Sequence, residues 1–253
     1  MKKQFILRSH FIAATCLAVL NCGLPTFAQS PAPVSNATSG DAKTLEAKSK
    51  SDADTEQKAA EWVGSLKLGD AAKSKRVTEI VATHLKAVRD WHNEHPFTSV
   101  PAGTNAATGK PLNQLEREMI ADGAMPKSVH DNLMTGLRKE LSPEQVESIL
   151  DKYTVGKVAF TMNGYRAIVP DLTAEEEKTI LGFLKQAREE AVDYKNMKEI
   201  SAVFEIYKTK SEQHLNSNGR DWKKMYKAYT DAIKAKKAEA AKQKAAAENP
   251  AGK

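Results

Sequence analysis

The sequence predicts a mainly α protein: a single multi-helix domain that carries one β-hairpin at about residues 158–169. Three observations predict it. Apolar residues recur at three- and four-residue spacing through most of residues 56–236. Capping boxes at Ser142-Pro143-Glu144-Gln145 and Thr173-Ala-Glu-Glu176 open two of these stretches. Asn163-Gly164, set between two alternating runs, is a hairpin signature, because both residues of such a turn take positive φ.

The ends of the 253-residue chain are set apart by composition. Lys2, Lys3 and Arg8 precede the apolar run FIAATCLAVLNCGL, and Pro25-Thr26-Phe27-Ala28 follows with small residues at Thr26 and Ala28. This reads as a secretory signal peptide over residues 1–28, so the chain is expected to be exported, periplasmic or extracellular. A membrane anchor would need lipidation at Cys22, where Asn21 occupies a position that lipoproteins fill with Gly, Ala or Ser. Both cysteines, Cys16 and Cys22, lie in this leader, which leaves no disulfide or thiolate metal site behind it. The leader also holds three positive charges and no negative ones, so the whole-chain net charge of +6 becomes +3. That balance argues against a nucleic-acid partner.

Residues 29–55 are rich in Ser, Ala, Thr and Asp and read as a disordered tether. Residues 237–253 have helix-forming Ala and Lys but no apolar stripe, and read as a solvated helical tail. The helical domain is expected between them, over residues 56–236.

Within that domain, Ala59, Trp62, Val63 and Leu66 mark a short first helix that Gly69 stops, and Asp70 caps a second, ended by Pro96. At about 100° per residue, Val77, Ile80, Val81, Leu85, Val88 and Trp91 share an arc of roughly 140°. His84, His92 and His95 fall in the same arc. Phe97 to Pro111 has no periodicity, two glycines and two prolines, and reads as a long loop. Leu112, Leu115, Met119 and Ile120 mark a helix that Gly123 breaks. Pro126 starts the next, with Val129, Leu133, Leu137 and Leu141, and Ser142 launches Val146, Ile149 and Leu150. In the hairpin reading, pairing Met162 with Tyr165 puts Val158, Phe160, Met162, Tyr165, Ala167 and Val169 on one face. Thr173 then opens a helix to about Lys195, Met197 to Leu215 supplies another, Asn216 to Gly219 turns, and Trp222, Met225, Tyr226, Tyr229 and Ile233 mark the last.

No nucleophile elbow, phosphate-binding loop, HExxH or EF-hand loop is present, and whether the chain is an enzyme stays open. The candidates for ligand binding are Arg89, Asp90, Trp91, His92 and His95 on the second helix, with Asn218, Arg220 and Trp222 near the last. Trp offers a flat apolar face while Arg and Asp fork hydrogen bonds onto hydroxyls or acids. Core tryptophans with surface ion pairs would have the same pattern. His92 and His95, one turn apart, have a spacing that can chelate a metal if Asp90, Glu94, His130 or another carboxylate joins them. Core or capping histidines near a helix C-terminus account for them more simply, so no metal and no cofactor is expected. Asp193, Tyr194, Lys195 and Asn196 bring polar groups together at a helix junction.

The segments AVRDWHNEHP, VPAGTNAATGKPL, SPEQVESILDKYTVGKVAFTMNGYRAIVPDLT, QAREEAVDYKNMKEISAVFEIYKTK and LNSNGRDW resemble an exported bacterial family, domain of unknown function 3826. The resemblance spans Lys58 to Lys236 and carries no catalytic residue across. It implies occurrence in bacteria that degrade plant polysaccharides, sometimes beside carbohydrate-active genes. The expectation is therefore a binding or accessory protein of glycan utilisation, with a plant-type glycan or an envelope protein as partner. Two alternatives stand beside it: a polysaccharide hydrolase or lyase with a His and Arg cleft, and a structural or interaction protein of the cell envelope.

Overall fold

The computed structural model describes residues 39–248, and its packed unit begins at Lys43. Nine α-helices make up about three-quarters of the described residues: α1 (Ser39–Gly64), α2 (Ala71–Glu94), α3 (Gln114–Asp122), α4 (Lys127–Glu140), α5 (Pro143–Tyr153), α6 (Lys157–Ile168), α7 (Ala174–Ala191), α8 (Met197–Ser217) and α9 (Trp222–Glu248). A 3-10 turn, Phe97–Ser99, starts the long loop after α2, and an isolated bridge between Thr104 and Pro111 folds the loop back on itself. None of the helices is long and apolar enough to cross a membrane.

The caps are where local sequence places them. Asp70 accepts from the Lys73 amide at the start of α2, and the boxes at Ser142 and Thr173 open α5 and α7. Two further boxes open α3 (Asn113 with Glu116) and α8 (Asn196 with Glu199). Each satisfies amide groups that the first helical turn otherwise leaves without partners.

The predicted hairpin at 158–169 is instead helix α6. The residues had two readings, because Val158, Met162, Tyr165 and Val169 share a face at period 3.6 as well as in the ribbon register. Phe160 and Ala167 decide between them. The ribbon needs both inside, yet Phe160 is 79 % exposed and Ala167 is exposed too, while the four helical-face residues are buried. Asn163 and Gly164 lie within the helix, and the left-handed residues are Val155, φ 53°, and Gly156, φ 67°, just before it.

The expected tether also differs where it is described. Residues 39–55 are helical as part of α1, and its polar side is tied to α2: Arg89 binds Asp52 at 2.6 Å and Ser51 at 2.9 Å, Lys86 binds Glu56 at 2.6 Å, and Lys48 binds Asp90 at 2.9 Å. Composition favours a free chain there, whereas the structure continues α1 through it and sets these ion pairs along α2. The expected signal peptide over residues 1–28, with Cys22, lies outside the described residues, as do residues 29–38 and 249–253. Residues 237–244 of α9 are solvent-exposed.

Two apolar clusters hold the unit. One gathers Val63, Val77, Val81, Leu133, Leu137 and Ile149 from α1, α2, α4 and α5, and the other gathers Met162, Tyr165, Ile180, Leu184, Phe204 and Leu215 from α6, α7 and α8. Each fully buried Leu or Ile contributes about 1.5–3 kcal/mol. The most extensive helix pairings follow the clusters, α2 with α4 and α7 with α8. Gly136 lets α4 approach α2, since a Cβ there would meet Ile80 at 3.0 Å. The turn after α7 serves both clusters: Ala191 packs in the second and Val192 in the first. The next residue is Asp193.

Candidate functional site

Asp193 bridges two imidazoles from two helices. His84 of α2, whose side chain is 1 % exposed, meets Asp193 Oδ1 through Nε2 at 3.0 Å, and His130 of α4 meets Oδ2 through Nδ1 at 2.8 Å. The carboxylate can accept from both rings at once. Burial pushes its pKa up, but the hydrogen bonds from His130 and His84 win and hold it below the ordinary carboxylate range. The His130 pKa is raised in turn, chiefly by the bond to Asp193. His84 Nδ1 is buried without a hydrogen-bond partner among the described residues, and so is the Tyr153 hydroxyl, whose ring lies edge-on to His84 at 5.4 Å. Burial, then the charge of Asp193, drives the Tyr153 pKa well above its usual value.

His130 and Asp193 face a cleft of about 1060 Å³ between α4, α5, α7 and the α7–α8 turn. Its walls mix Tyr194, Tyr207 and Met134 with charges held in pairs. Arg138 binds Glu189 at 2.8 Å and Lys185 binds Glu147 at 2.6 Å. The buried Arg188 binds Asp151 at 2.8 Å, leaving its Nε without a hydrogen-bond partner. Tyr207 donates to Glu190 at 2.8 Å, and both tyrosines have pKa values pushed up to about 12, first by burial. Such a wall offers flat apolar surface beside fixed donors and acceptors.

A second polar set adjoins the cleft through Asp122, the last residue of α3. Trp91 Nε1 donates to the Ala121 carbonyl at 3.0 Å, which fixes the end of α3 beside α2. His92, next in sequence, then meets Asp122 Oδ2 through Nδ1 at 2.7 Å and lies 3.7 Å from Glu199 Oε1. Asp122 is 4 % exposed and Glu199 is fully buried, and Asp122 Oδ1 and Glu199 Oε1 have no hydrogen-bond partner among the described residues. Burial, reinforced by the charge of Asp122, raises the Glu199 pKa. Among the described residues these three form the one group of three or more metal-ligating side chains with donor atoms this close, all within 4.8 Å of one another.

The residues that the sequence singles out do not gather at one place. Arg89 and Asp90 join the ion pairs that tie α1 to α2. His95 stacks on Trp91 at 3.7 Å and meets the Trp91 carbonyl through Nδ1 at 2.9 Å, so it caps α2 instead of chelating with His92. Arg220 clamps Glu176 through Nε and Nη2, both at 2.7 Å, and Asp171 through Nη1 at 2.9 Å. Asn218 lies beside that clamp, and Trp222 packs on Tyr165 and Tyr226. Of the eight, His92 alone enters one of the polar sets described above. Asp193 was visible only as part of a polar junction. Asp122 was not visible at all, and Glu199 carried one local signal, its place three residues after Asn196 in a capping box.

The family model described as "Protein of unknown function (DUF3826)" matches residues 52–235. No curated protein matches the chain.

Proposed function

The chain belongs to the DUF3826 family, and from that premise we propose that it is a binding or accessory protein of glycan utilisation that takes glycan fragments in the cleft beside His130 and Asp193. The observation that carries the reading is the wall itself, where Tyr194 and Tyr207 stand among fixed charged pairs and an imidazole. Sugars are recognised by such surfaces, with aromatic faces under the ring and charge-assisted hydrogen bonds to hydroxyls or uronate carboxylates. The pairs are already formed, so little side-chain ordering is left for a ligand to bring about. The leader over residues 1–28 supports an exported location, which fractionation of cells making the full chain tests.

Calorimetric titration with plant oligosaccharides, neutral and uronic, tests the binding. Saturable binding is expected, weakened about tenfold, or 1.4 kcal/mol, by Tyr194→Ala or His130→Ala. Failure of every such glycan to bind would remove the reading. The bridging of His130 by Asp193 favours one second reading, a hydrolase or lyase in which His130 moves a proton, because a carboxylate on one ring nitrogen orients the other. Product formation that vanishes in His130→Ala would select it over binding alone.

A further inference from the structure

We propose that His92, Asp122 and Glu199 form a site for a divalent first-row transition-metal ion of the Zn2+ or Mn2+ type, ligated through His92 Nδ1 and one oxygen of each carboxylate. The three donors come from α2, α3 and the first turn of α8, and their atoms lie within 4.8 Å of one another. An ion about 2.0–2.2 Å from each donor sets ligand atoms about 3–3.5 Å apart, so a pair separated by as much as 4.8 Å closes by roughly 1–2 Å on binding, while His92 and Asp122, at 2.7 Å, are already close enough.

Charge makes the stronger case. Two carboxylates are buried together, and His92 is the single group of potentially positive charge paired with either among the described residues. Uncompensated buried charge is expensive, and the protein meets it elsewhere with arginine, as Arg220 does for Glu176. Here Asp122 Oδ1 and Glu199 Oε1 stay without hydrogen-bond partners instead.

The supports are those of a ligand set held in advance. Glu199 Oε2 is engaged by the Asn196 amide in the capping box, which leaves Oε1 toward His92, and the Trp91 bond to Ala121 holds the end of α3. One imidazole with two carboxylates suits Zn2+ or Mn2+ better than Ca2+, which takes six or more oxygen ligands. Asp122 also lines the cleft, so the ion stands at its margin.

The test is titration of the EDTA-treated, dialysed protein with Zn2+, Mn2+ and Ca2+ separately, followed by calorimetry and by thermal melting. One Zn2+ or Mn2+ per chain is expected, with a rise in Tm of roughly 5–10 °C at saturating ion. Asp122→Asn and Glu199→Gln should each weaken binding on the order of 100-fold and abolish the rise, while melting no lower than wild type without ion. Absence of saturable binding overturns the proposal, as does binding of Ca2+ alone or a rise that persists in both variants. A wild type indifferent to every ion beside a more stable Glu199→Gln would also overturn it, and would mean that the carboxylates share a proton. Should either variant fail to fold, His92→Ala carries the test, since that ring is 24 % exposed. One-site binding retained in His92→Ala overturns the proposal equally.

Discussion

Glu176 and Glu199 occupy the same position in the same local motif, the third helical residue of a capping box, and both are buried. Their surroundings take them in opposite directions. At the α7–α9 corner, Arg220 grips both oxygens of Glu176, with Thr173 adding two more bonds, and the pKa falls to about 2. At the α2–α3–α8 junction, burial and Asp122 push Glu199 up, and one oxygen is left without a hydrogen bond. A buried polar group with every bond made is architecture, whereas one left short of partners marks a place where the fold holds something in reserve.

The contrast breaks first at Arg220. Arg220→Ala leaves a buried carboxylate without its cation and should lower unfolding free energy by about 3 kcal/mol, read by urea denaturation. Glu176→Gln tests the same clamp through pH. A carboxylate whose folded pKa lies below its ordinary 4.5 contributes stability that is present above pH 4.5 and lost as pH falls toward about 2. The variant should therefore show a shallower decline in stability across that window than wild type.

Asp193→Ala comes next, because it strips the buried His84 ring of its one hydrogen bond among the described residues, with an expected loss of about 2 kcal/mol. It should also lower the His130 pKa, followed by the ring-proton shifts in an NMR titration.

Glu199→Gln is the sharpest test, since its sign is opposite. A carboxylate with a raised folded pKa contributes stability at low pH that is lost as pH rises through that pKa, so at pH 7 in the ion-free protein the amide should stabilise by about 1 kcal/mol. The capping box survives, because Gln serves at that position as well as Glu. Lys48→Ala sets the scale's lower end. Its pair with Asp90 is exposed, and a change within about 0.5 kcal/mol is expected.

The helices and several of their starts were legible because they rest on short-range chemistry: apolar period, a capping side chain three residues from its amide, proline at a first turn. The error at α6 has the same origin. Its apolar residues satisfy two periods at once, and the one that prevails depends on which face neighbouring helices cover, which left Phe160 outside.

The polar sets were scarcely legible at all. His84 and Asp193 are 109 residues apart, Arg220 and Glu176 44, and His92 and Asp122 30. By itself the sequence determined that the chain is helical, where most of its helices begin and end, and that His84 lies on the apolar face of α2. Tertiary structure alone decided which charge each buried group would meet. The reason is physical: periodicity and capping act within a turn or two of helix, whereas the electrostatics of a buried carboxylate are set by whatever distant segment the packing brings within a few ångströms.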